Sequence, residues 1–73
     1  MGELPPIKPK DLMKILEREG FTVIRQVGSH ARLSHADGRK VTIALHNKEL
    51  PIGTLHAILR QAEISKDELK KLL

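Results

Sequence analysis

The sequence predicts an α+β fold: a helix, three antiparallel strands, a second helix and a short terminal helix, with the helices packed on one face of the sheet. Three observations carry this prediction. Leu12, Met13, Ile15 and Leu16 recur at helical spacing, as do Leu55, Ile58, Leu59 and Ala62. Between these blocks, apolar and polar residues alternate with period two, the pattern of strands with one face buried and one in water. A three-stranded antiparallel sheet covered by helices on one side is the simplest arrangement that buries all of these stripes.

Taken in order, residues 1–8, with Pro5 and Pro6, read as an extended lead-in, and Pro9 suits a first helical turn. The first helix is expected over about residues 9–19, with Gly20 as its C′ residue. Lys8 is a poor N-cap compared with serine or aspartate. Thr22–Val27 is rich in β-branched residues, and Gly28-Ser29 breaks it. A second strand is expected from about His30 to His35 and a third from about Arg39 to Leu45. The second main helix is expected to start after Gly53-Thr54. The last element, 65–73, opens with a capping box, Ser65 and Glu68, and a staple of Ile64 on Leu69. There are no internal repeats and no low-complexity segment.

Facing strand residues must share a side of the sheet, so the hairpin joining the second and third strands needs an odd loop. Ala36-Asp37-Gly38 fits, as a type I turn closed by a left-handed glycine. Leu33 then opposes Val41, Ala31 opposes Ile43 and His30 opposes Ala44. The water-facing side gathers His30, Arg32, Ser34, Lys40, Thr42 and His46, with Thr42 and His46 as diagonal neighbours of His30.

Composition narrows the chemistry. The 73 residues suffice for one domain with a small core. There is no cysteine, which removes disulfides, thiolate chemistry and cysteine-based zinc sites. No apolar run is long enough to span a membrane, and Met1 to Pro9 lacks the apolar stretch of a signal peptide, so a cytoplasmic protein is expected. The net charge is +4, which fits a polyanionic partner and equally fits ordinary solubility. Phe21 is the one aromatic residue, so base stacking on several rings is excluded and any RNA affinity must come from phosphate and 2′-hydroxyl contacts.

Gly28-Ser29-His30 is the stretch best equipped for reaction. Histidine exchanges protons near neutral pH without much tuning, and Arg25, Arg32, Arg39 and Lys40 lie within ten residues of His30. A histidine at this position also serves as a packing or surface residue, and both readings stand on spacing alone. Ser29 has no carboxylate–histidine pair to make it a nucleophile. Gly28 is expected to supply a positive φ or a close backbone approach. His30 and His35 point to opposite faces, and His46 and His56 lack ligand spacing, so no metal site is expected. His35 and His56 are expected in solvent, as is the charged face of Lys66, Lys70 and Lys71. The loop with Lys48 and Glu49 fits contact with RNA or with a protein.

Four segments together resemble the HicA toxin family, the small mRNA-cleaving partners of HicB antitoxins. They are Glu19-Gly20-Phe21, Arg25 to His30, Val41 to His46, and Gly53-Thr54-Leu55 through Ile58 to Ala62. The resemblance runs over roughly residues 7–65 and makes the chain a single HicA-like domain, 1–73. It departs at Ala44, where the family often has proline, a difference that bears on edge pairing more than on chemistry. The resemblance implies a fold similar to the double-stranded-RNA-binding domain (dsRBD-like). It implies ribonuclease activity dependent on His30, and neutralisation by a HicB-like antitoxin that covers this region.

RNA can be cut without metal when a base takes the 2′-hydroxyl proton, cations stabilise the phosphorane and an acid protonates the leaving 5′-oxygen. His30 is the expected catalytic residue. Arg25, Gly28, Ser29, Arg32, Lys40 and His46 are the expected RNA contacts, arginine being suited to bidentate phosphate binding. His46 is also the one candidate for a second proton-transfer group, with a strand-end structural role as the competing reading. No cofactor is expected. The leading function is an mRNA-cleaving toxin; the alternatives are a non-catalytic RNA-binding module and an antitoxin-binding protein that has lost activity.

Overall fold

A computed structural model describes residues 4–73. Helix α1 spans Pro9–Arg18, strands β1, β2 and β3 span Phe21–Val27, His30–His35 and Lys40–Ala44, and helices α2 and α3 span Ile52–Ala62 and Lys66–Leu72. The sheet has the order β1-β2-β3 with both pairs antiparallel. Helix α1 packs across β1 and β3 and α2 packs on β3. This is the expected α+β architecture.

The core is built from the predicted stripes. Leu12, Leu16, Ala31, Leu33, Ile43 and Leu55 are among its fully covered side chains. Leu4, Ile7 and Leu50 join them, so the extended lead-in contributes to the core. The Leu50 N–H donates to the Ile7 carbonyl at 2.8 Å, fastening the lead-in to the β3–α2 loop. Met1–Glu3 lie outside the described residues.

Helix ends follow local chemistry. Lys8 makes no side-chain cap to α1. Gly20, at φ +101°, ends that helix, and a Cβ there would stand 2.7 Å from His35 Nε2. Helix α2 starts at Ile52, earlier than expected, so Gly53 and Thr54 sit inside its first turn. Pro51 holds the N-cap position at φ −56°, ψ 146°, an extended geometry natural to proline that leads directly into the helix. The α3 capping box forms: Glu68 N–H donates to Ser65 Oγ at 3.1 Å and Ser65 N–H to Glu68 Oε1 at 3.0 Å. The backbone N–H of Ser65, then its hydroxyl, holds the Glu68 carboxyl below its ordinary pKa. Ile64 and Leu69 are both buried in the same core, where a staple requires them.

The β2–β3 register is as expected: Leu33 opposes Val41, Ala31 opposes Ile43 and His30 opposes Ala44. Gly38 closes the loop at φ +101°, and its N–H donates to the His35 carbonyl at 2.9 Å. His35 is not in solvent as expected, because its strand parity turns it to the core side of the sheet. Its ring meets Phe21 edge-on at 5.1 Å. Nδ1 accepts the Asp37 N–H at 3.1 Å, which leaves Nε2 to donate to the Glu19 carbonyl at 3.2 Å. Arg39 completes this corner. Its guanidinium lies 5.1 Å from the Phe21 ring centre, pairs with Asp37 at 2.9 Å and donates to the Ala62 carbonyl at the end of α2. The Arg39 backbone N–H is the main cause holding the Asp37 carboxyl below its ordinary value, with the Arg39 side chain adding to it. His56, also expected in solvent, is half-buried on α2.

Candidate active site

The outward side of the sheet carries three cross-strand rows. Thr22, Ser34 and Lys40 form one, Arg25, Arg32 and Thr42 the next, and Val27, His30 and Ala44 the last. A β-bulge between Val23 and Arg25 creates this order on β1. Phe21 is buried and Val23 half-buried, so strict alternation would turn Arg25 and Val27 toward the core as well. The extra residue, Ile24, reverses the parity and brings Arg25 opposite Arg32 and Val27 opposite His30.

Two arginines directly opposite each other repel and cost the sheet stability. Both are exposed, and neither has an ion-pair partner among the described residues. The arrangement is ready to clamp an anion with two guanidinium forks.

His30 owes its place to the turn before it. Gly28 and Ser29 form a two-residue hairpin loop with φ +58° at Gly28 and no positive φ at Ser29, the pattern of a type II′ turn. The glycine therefore supplies the positive φ expected of it. The Ser29 carbonyl accepts the Leu45 N–H, which ties the loop to the end of β3. The His30 side chain is exposed and makes no hydrogen bond among the described residues. A hollow of about 330 Å³ opens here, lined by Arg25, Val27, His30, Ala31, Arg32 and Thr42.

The structure thus brings His30, Arg25 and Arg32 together, with Gly28 and Ser29 at the rim. It does not bring Lys40 or His46 into the hollow. Lys40 pairs with Ser34, four residues along β2 from His30, about 13 Å at the usual strand rise. His46 lies beyond the end of β3 rather than diagonally across from His30, because pairing stops at His30–Ala44. It lines a different hollow with Lys8, Lys10, Asp11, Lys14 and Asn47.

Sequence reasoning missed two residues here. Thr42, expected on this face only as a neighbour of His30, lines the hollow. Gln61 covers part of the exposed β3 edge: its Oε1 accepts the Thr42 backbone N–H at 3.3 Å. Among the described residues, no three His, Cys, Asp or Glu side chains converge as metal ligands would, and no helix is long and apolar enough to cross a membrane.

No curated protein shows a significant match to the chain. The family model described as HicA toxin of bacterial toxin-antitoxin matches residues 9–64, from the first residue of α1 to just past α2, and so includes every strand and the whole hollow. With most of its length matched, the chain belongs to the HicA toxin family.

Proposed function

We propose that this toxin is an endoribonuclease that cuts mRNA by metal-independent attack of the 2′-oxygen, with His30 as its proton-transfer residue. The observation that carries the reading is the pair of opposed arginines beside an exposed histidine in one hollow. Arg25 and Arg32 hold the scissile phosphate and stabilise the added negative charge as the phosphorane forms. His30 takes the 2′-hydroxyl proton, the 2′-oxygen bonds to phosphorus, and the bond from phosphorus to the 5′-oxygen breaks. The imidazolium so formed, or water, then protonates the leaving oxygen. The products are a 2′,3′-cyclic phosphate and a 5′-hydroxyl. No second histidine or carboxylate lines the hollow, so no separate side chain is placed there to protonate the leaving oxygen and turnover is slow. Lys40 and the Gly28-Ser29 backbone contact the RNA outside the hollow. A HicB-like antitoxin neutralises the protein by covering the same face.

The test is a cleavage assay on an RNA whose cut position has been mapped, then on the same RNA with a single 2′-deoxy nucleotide at that position. Cleavage should stop there and continue at other sites. Persisting cleavage at the deoxy position would overturn the mechanism. RNA that binds the wild-type chain but is never cut would identify a binding module.

A further inference from the structure

A second cationic hollow lies around the end of the hairpin from His30. It measures about 320 Å³ and is lined by Lys8, Lys10, Asp11, Lys14, His46 and Asn47. One backbone hydrogen bond links the segments that lead into the two hollows. Ser29, which accepts it, immediately precedes His30, and Leu45, which donates it, immediately precedes His46. Three lysines face one carboxylate in this hollow, and none of the lysines has an ion-pair partner among the described residues.

This arrangement weakens the fold. Lys10 and Lys14 stand one helical turn apart and repel each other. Lys8 and Lys10 also lie at the positive end of the α1 dipole, with no side-chain cap and with Asp11 as the one acidic residue of that turn. Local rules broken together at the surface mark a function that outweighs the lost stability. The outward face of α3 carries Lys70 and Lys71 at the end of its helix, where cations are favourable and no such conflict arises.

We propose that Lys8, Lys10, Lys14 and His46 form a second anion subsite that holds the phosphodiester backbone of single-stranded RNA as it leaves the His30 hollow. The proposal rests on the RNA-cleaving reading above. That reading gives the cations a polyanion already anchored next door, and the spread of four basic side chains over two elements suits a chain of phosphates better than a single ion. Binding here lengthens the contact with substrate without touching the reacting atoms.

The experiment measures the affinity of the full chain for a 2′-O-methyl oligoribonucleotide, which cannot undergo 2′-attack, as a function of salt. The variants are K10Q/K14Q, R25Q/R32Q, and K70Q/K71Q, which removes the same charge on α3. In K10Q/K14Q the slope of log affinity against log salt should fall by about 1.4, and binding at about 0.1 M salt should weaken roughly 10- to 30-fold. K70Q/K71Q should change the slope little. The melting temperature of K10Q/K14Q should stay level or rise, because the substitution relieves repulsion; a merely structural role would lower it.

An unchanged slope in K10Q/K14Q with a reduced one in R25Q/R32Q overturns the subsite and leaves the RNA reading standing. An equal loss in K70Q/K71Q reduces the effect to net charge and also overturns it. Unchanged RNA binding with lost affinity for an antitoxin would assign the lysines to a protein partner instead. If the wild-type chain shows no salt-dependent binding, both readings fall together.

Discussion

Replacing His30 with alanine should reduce RNA cleavage by roughly 10²- to 10⁴-fold, the range a positioned proton-transfer group contributes. The melting temperature should stay close to that of the wild-type chain. The side chain is exposed, and its neighbours in the β1–β2 and β2–β3 ladders meet it through the backbone. Truncation therefore opens no cavity and leaves no polar group unpaired. RNA affinity should change little, since Arg25 and Arg32 remain. His30→Gln, which keeps a polar side chain but cannot take a proton, should be as inactive as alanine. A folded His30→Ala variant that cuts at the wild-type rate would remove the histidine from the mechanism. In cells, the same variant should lose growth arrest while still binding its antitoxin.

The second large effect concerns the fold. Leu33→Ala should destabilise the domain by about 2–5 kcal/mol, the range for deleting a fully buried leucine. Leu33 is fully covered, sits in the central strand and faces Val23 on one side and Val41 on the other. A chain of 73 residues has roughly 4–11 kcal/mol of stability in all, at about 0.05–0.15 kcal/mol per residue. The loss therefore takes a large part of the total, and thermal unfolding should shift down by roughly 10–30 °C. A variant melting within a few degrees of the wild-type chain would show that the sheet core tolerates a cavity there. Leu33 lies one residue from Arg32, so the same change should loosen the arginine clamp and slow cleavage even below the transition.

The fold was legible because its elements announce themselves locally. The β2–β3 register followed from parity and one odd loop, and the α3 cap followed from Ser65 and Glu68. The bulge in β1 was not legible. Its extra residue, Ile24, is β-branched like its neighbours, and only pairing with β2 shows that the alternation breaks there. Arg25 was chosen for its charge, and its face depends on that bulge. His35 was misjudged because a histidine on a core-facing position is costly unless partnered, and its partners, Glu19, Phe21 and Asp37, come together only in three dimensions. Arg39 looked like a member of the basic cluster near His30 but serves the opposite end of the sheet. His46 misses its expected diagonal place because the strand ends at Ala44, one residue short of the expected end, and the chain leaves the sheet there. The buried Leu4, Ile7 and Leu50 were missed because a lead-in and a loop have no periodicity to reveal an inward face.

The most direct test of the central claim is an analysis of the ends of RNA fragments produced by the purified chain in excess EDTA. The account predicts cleavage at the rate seen without chelator, with a 2′,3′-cyclic phosphate on one fragment and a 5′-hydroxyl on the next. Fragments bearing 5′-phosphates, or activity that chelation abolishes and a divalent ion restores, would show that water or a metal performs the attack and would contradict the role assigned to His30.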